Sequence, residues 1–274
     1  MANNAPIGVF DSGVGGLTVA KEIMRQMPNE ELIYFGDTAR VPYGSKSKET
    51  IIKFSRQIVH FLKTKHVKAI VIACNTASAL ALDAIEAEEE LPILGVVKPG
   101  ARTAIETTKN GHIGIIGTEA TINSGLYSEY IHQMSKQTEV YAKACPLFVP
   151  LVEENMLFDS VTEQIADRYL NELKQYDIDT LVLGCTHYPL LSYILQKVAG
   201  ENVTLVNPAL ETAKELKRVL TEKDLLREEG VKKGTDRYYV SDGSRKFQTF
   251  ANSILPCEVM EVKDILIEQL QEED

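Results

Sequence analysis

The chain has 274 residues, enough for one large or two small domains with a sizeable core. Hydrophobic residues make up 44% and charged ones 25%, and the net charge of −10 argues against a nucleic-acid or anionic-membrane surface. That field also repels an anionic substrate, so any anion site must be built from local donors.

Strand and helix signals alternate in chain order. Residues 7–10 read as a strand, followed by a Gly-rich turn and a helix to about Met27; residues 32–35 read as a second strand. Residues 51–65 carry Ile51, Phe54, Ile58, Phe61 and Leu62 at helical spacing. A strand at 70–73, a helix, a strand at 93–97 and a helix from about 101 to 109 complete the first half. Strands at 113–116 and 140–144, a helix at 158–174, strands at 181–184 and 203–206 and one more helix repeat that order. A strand at 238–241 and a helix near 247–254 have no counterpart. This alternation predicts an α/β fold of mainly parallel sheets flanked by helices.

Two segments carry the same text 111 residues apart: LKTKHVKAIVIAC (62–74) and LKQYDIDTLVLGC (173–185). Each runs from a helical tail through an all-apolar stretch, as a buried parallel strand does, to a cysteine at its carboxyl end. Strand and helix lengths alone would give a similar period, but a cysteine at the same register favours duplication. The expectation is two similar lobes related by a pseudo-twofold, residues 1–97 with 207–274 and residues 98–206, around a shared cleft. Without a low-complexity or Pro-rich linker, the chain is expected to cross between them more than once.

Four cysteines, at 74, 145, 185 and 257, include no CxxC pair and are too few for a disulfide scaffold. Residues 1–10 show neither the basic nor the apolar part of a signal peptide, and the charge-free run 69–82 is too short and polar to span a bilayer. A cytoplasmic location with reduced thiols is the simplest reading.

Several segments lie where chemistry is expected. FDSGVGGL (10–17) puts an acid, Asp11, a hydroxyl, Ser12, and close-approach glycines between strand and helix. Thr18 stands where a dinucleotide fingerprint wants glycine, and no Walker lysine is present. DTARVPYG (37–44) reads as a plain loop or as an anion-holding Tyr43 hydroxyl and Gly44 amide. GTEAT (117–121) reads as an N-cap or as hydroxyl donors. Cys74 and Cys185 are either small buried hydrophobes or a functional pair whose pKa a following helix lowers toward neutrality. His187 is either a cap or a proton partner of Cys185. A zinc site of Cys74, Cys185 and His187 lacks the usual ligand spacing and count. Cys145 and Cys257 are read as structural.

With FGDTARVPYG (35–44), ACNTAS (73–78), CPLFVPLVE (145–153) and LGCTHYPLL (183–191), these motifs resemble the glutamate racemase family over nearly the whole chain. The resemblance implies cofactor-independent enzymes that supply D-glutamate for the bacterial cell wall. It implies two acid/base thiols, Cys74 facing D-glutamate and Cys185 facing L-glutamate, assisted by Asp11 and His187. It implies substrate contacts from Asp11, Ser12, Tyr43, Gly44, Asn75, Thr76, Thr118, Thr121, Thr186 and His187, with Glu153 lining the site. The short N-terminus lacks the extension of members activated by a cell-wall precursor, so that regulation is not expected.

The chemistry agrees independently. Inverting Cα needs one base on each face, one thiolate and one thiol, and neutral donors can hold the carboxylates without an arginine. No metal or pyridoxal cofactor is expected, and the partner is a small molecule, with a homodimer left open. Asp11 is expected beside Cys74, and His187 beside Cys185. Three rivals remain: a racemase of another acid such as aspartate, a thiol redox protein, and a non-catalytic amino-acid-binding protein.

Overall fold

The computed structural model describes residues 4–228 and 234–271. In chain order its strands are β1 (Ile7–Asp11), β2 (Leu32–Gly36), β3 (Ala69–Ile72), β4 (Ile93–Gly95), β5 (His112–Gly117), β6 (Glu139–Ala144), β7 (Thr180–Gly184), β8 (Thr204–Val206), β9 (Arg237–Val240) and β10 (Val262–Asp264). Among the described residues they form two sheets, ordered β10-β9-β2-β1-β3-β4 and β6-β5-β7-β8. Every pairing is parallel. The first four strands and the next four repeat one order, so the likeness of 62–74 to 173–185 extends to topology. β9 and β10 widen the first sheet only.

The central strands are apolar throughout because both faces are covered. Alternate residues serve alternate faces. Ile7 and Val9 join a cluster with Leu17, Ala213, Leu216 and Phe247, while Phe10 points to the other face with Ile58, Leu62 and Ile85. In β7, Leu181 and Leu183 pack with Phe148 and Leu170, and Val182 packs with Val97 and Ile131. Helices therefore sandwich each sheet. One of them, Lys48–Thr64, starts where the Ser47 hydroxyl accepts the Thr50 N–H at 3.3 Å.

The chain crosses between sheets after β4 and again after β8. Helix Val97–Thr107 packs on the second sheet and helix Pro208–Glu222 on the first. The two meet at Arg102 and Glu215, whose Nη1 and Oε2 are 3.1 Å apart. Leu190 and Phe250 pack against clusters of both sheets. Helix Val97–Thr107 starts four residues before the expected 101, because Pro99 falls in the first turn, where no intrahelical N–H is needed. Helix Phe148–Glu153 and β10 had no counterpart among the expected elements.

Charge is also sorted along the strands. At their amino ends Lys68 Nζ and Glu30 Oε2 pair at 2.7 Å, both 1% exposed, with Arg227 beside them. Their carboxyl ends hold the cysteines.

Candidate active site

The two thiols stand at equivalent strand ends. Cys74 follows β3 and caps helix Asn75–Glu86; Cys185 follows β7 and runs into the 3-10 turn Tyr188–Leu191. Each is 5% exposed, and all four cysteines are free thiols. A charge on Cys185 raises the pKa of Cys74, so the sulfurs lie within electrostatic reach.

Their proton partners differ. The Cys74 thiol donates to Ser12 Oγ at 3.6 Å. Burial, then the Asp11 carboxylate, push it up to about 12, against the pull of the Ala77 amide and Ser12. The expected fall toward neutrality is therefore reversed here: complete burial and a neighbouring anion outweigh the helix N-terminus. Cys185 Sγ lies 3.8 Å from His187 Nδ1, and His187 Nε2 is 3.3 Å from Glu153 Oε1. Burial alone would lower the imidazole pKa, but Cys185 and Glu153 as acceptors hold it up at about 10. Both ring nitrogens then donate, one to the sulfur and one to the carboxylate, and Glu153 is held below the usual carboxylate range by that contact.

Asp11 takes part on both sides. Burial raises its carboxyl above the ordinary range, opposed first by the His187 charge. Its Oδ2 accepts from the Gly13 amide at 2.9 Å and its Oδ1 from the Thr186 hydroxyl at 3.4 Å. Asp11 neighbours Cys74, as expected, and also binds the segment that carries Cys185.

Several expected substrate contacts meet one another across the cleft. Thr76 Oγ1 is 2.9 Å from Thr118 Oγ1 and 3.3 Å from Thr121 Oγ1, and the last two are 3.0 Å apart. Gly44 abuts Thr118, where a Cβ would fall 2.8 Å from the Thr118 Cβ. At Gly15 a Cβ would lie 2.3 Å from Thr186 Oγ1 and 2.6 Å from His187 Nδ1, so only glycine lets the lobes meet there. Tyr43 departs from its expected role: its hydroxyl donates to Asp37 Oδ2 in a buried network with Arg40 and Ser241. Its side chain is core, and the anion donors left in that loop are backbone amides.

The sequence reading missed Tyr127, whose buried hydroxyl donates to Asn75 Oδ1 at 2.7 Å. Only its spacing from Ile131, the other buried residue of helix Leu126–Met134, could have marked it as facing inward. Among the described residues no group of three or more His, Cys, Asp or Glu could hold a metal ion, and no helix is long and apolar enough to cross a membrane.

The family model for Asp/Glu/hydantoin racemases matches residues 7–216. The chain is 46% identical over 266 residues to a glutamate racemase from Geobacter metallireducens, covering 97% of this chain and 98% of the relative. A glutamate racemase isoform from Bacillus anthracis superposes with a TM-score of 0.92 at 41% identity, over 96% of this chain and 98% of that one. The glutamate racemase from Francisella tularensis, solved in complex with D-glutamate, superposes with a TM-score of 0.89 at 40% identity, over 97% and 99%.

Proposed function

The chain belongs to the Asp/Glu/hydantoin racemase family, and we propose that it interconverts L- and D-glutamate with no cofactor, one thiol working on each face of Cα. The observation that carries this reading is the pair of buried thiols at equivalent strand ends, one beside a carboxylate and the other beside an imidazolium. We assign the described residues of 1–97 and 207–274 to one lobe and residues 98–206 to the other, with the substrate between them.

In the direction from L- to D-glutamate, Cys185 as thiolate removes the Cα proton, with the His187 imidazolium beside it. Cys74 as thiol delivers a proton to the opposite face. The thiols exchange protonation states at each turnover, and the reverse direction begins with Cys74. Carboxylates rest on neutral donors: Ser12, the amides of 43–44, Asn75, Thr76, Thr118, Thr121 and Thr186. The hydroxyls and backbone amides among them also stabilise the negative charge that develops on the α-carboxylate as the proton leaves. Asp11, His187 and Glu153 set the charges around the sulfurs. The reaction supplies D-glutamate for peptidoglycan in the cytoplasm.

Circular dichroism of L-glutamate incubated with the pure protein tests the reading directly. Ellipticity should decay to zero without additives. Decay only after adding pyridoxal phosphate or a metal ion would overturn it, and faster decay with L-aspartate would move the substrate assignment.

A further inference from the structure

Asn75 follows Cys74 directly and is 4% exposed, with its amide at the seam between the lobes. An asparagine amide has a donor end and an acceptor end of nearly equal shape, so sequence alone leaves its orientation open. Tyr127, from helix Leu126–Met134 of the other lobe, donates its hydroxyl to the Oδ1 end at 2.7 Å. Among the described residues that hydroxyl proton has no other acceptor. Turning the amide over would leave a buried proton unsatisfied and present a carbonyl oxygen to an anionic substrate. Tyr127 is itself locked: it is 3% exposed, packs with Ile113 and Val182, and leaves only 3.3 Å between its Cε2 and the place of a Cβ on Gly184, the residue before Cys185.

We propose that Tyr127 is a positioning residue which, on closure of the lobes, fixes the Asn75 amide with its NH2 end free to hold a substrate carboxylate. The inference rests on the racemase reading and adds to it the reason an uncharged side chain can serve an anion. Because the bond joins the two lobes, an opened cleft breaks it, and the donor is ready only when the cleft closes. The hydroxyl acts through Asn75 alone, so its effect belongs to binding and serves both enantiomers alike.

A double-mutant cycle of Tyr127→Phe and Asn75→Ala tests this with CD kinetics on both enantiomers. Tyr127→Phe should raise KM for L- and D-glutamate about tenfold, while kcat changes less than about threefold. In the Asn75→Ala background the same substitution should raise KM no further. An unchanged KM, a loss confined to kcat, or an equal loss in that background would overturn the proposal. Wild-type protein that leaves L-glutamate unchanged would sink the racemase reading instead. Calorimetric titration of D-glutamate into the same four proteins would then decide the role of Tyr127, and absence of binding by wild type would overturn both.

Discussion

Cys74 opens a helix of 12 residues and faces Ser12 and Asp11, whereas Cys185 enters a short 3-10 turn and faces the His187–Glu153 pair. The strands beneath them repeat one order, so the scaffold is duplicated while the proton partners are not. A helix N-terminus is worth at most about 2 kcal/mol to a neighbouring anion, on the order of 1.5 pKa units. Full burial opposes it with about 3–5 units. For Cys74 burial and Asp11 win, and the thiol is pushed up to about 12. Beside Cys185 an imidazolium held to about 10 supplies a cation, where the charges acting on Cys74 are the anions of Asp11 and Cys185. Two-base racemisation needs one sulfur protonated and the other not, and unlike surroundings decide which begins.

The largest effect should come from the thiols themselves. Cys74→Ala or Cys185→Ala should lower racemisation by about 10⁴-fold or more, since either leaves one face without a proton carrier. The surviving thiol should still exchange the Cα hydrogen of the enantiomer it faces: L-glutamate in Cys74→Ala, D-glutamate in Cys185→Ala. Exchange in deuterated water, followed by NMR, should be faster in Cys74→Ala, where the imidazolium remains beside the sulfur. Equal rates would erase the difference between the two ends, and substantial racemisation by either variant would end the two-thiol mechanism.

His187→Ala should cost about 10²-fold or more in kcat. The two directions share one overall equilibrium, so asymmetry must be sought in kcat and isotope effects. With the Cys185 step slowed, the isotope effect on 2-deuterated L-glutamate should grow and that on D-glutamate shrink. Asp11→Asn should change both more evenly, because Asp11 contacts Thr186 as well as neighbouring Cys74. Matching patterns in the two variants would remove the assignment of His187 to Cys185.

Much of this arrangement is legible in the chain. The all-apolar runs 69–73 and 181–184 announce buried parallel strands, and the repeated cysteine marks their carboxyl ends. The short strand β10 carries half-exposed or exposed residues, VKD, and so no apolar pattern. Tyr43 was placed on the correct loop, but the turning of its hydroxyl toward Asp37 depends on Arg40 and Ser241, the latter 198 residues away. The environment of Cys74 escaped for a related reason: a following helix is visible in sequence, whereas complete burial beside Asp11 is a property of the packed cleft. Tyr127 escaped because residues 126–134 carry no motif, and its contact with Asn75 exists only once the two lobes are packed together.

Gly15 lies in the first lobe and its effect should fall on the second. Gly15→Ala puts a methyl within 2.3 Å of Thr186 Oγ1 and 2.6 Å of His187 Nδ1, so the lobes must part or the imidazole must move. A displacement of that size from productive geometry costs about 10²-fold. The loss should carry the isotope signature of His187→Ala, with kcat reduced and Tm little changed, as read by CD kinetics and thermal melts. A signature like that of Asp11→Asn would instead mean that the first-lobe loop had moved.

Glu153→Gln should have the smallest effect and the clearest sign. Its carboxylate accepts the Nε2–H of His187 and helps hold the imidazole at about 10. Removing the negative charge should bring that pKa down by about one unit, since Glu153 is only half-buried and the Cys185 contact remains. The basic limb of kcat/KM, set by loss of the imidazolium, should therefore begin at lower pH in the variant, while activity near pH 7 falls less than about tenfold. Stability follows the same sign. A histidine whose folded pKa exceeds its unfolded value of about 6.5 contributes stability that is complete below that value and lost as pH rises toward about 10. Wild-type Tm should decline across this window, and the variant should finish its decline earlier. An unshifted basic limb with an unchanged Tm profile would mean that Cys185 alone holds the proton on His187, and the second-lobe partner would then be the thiol–imidazole pair without the carboxylate.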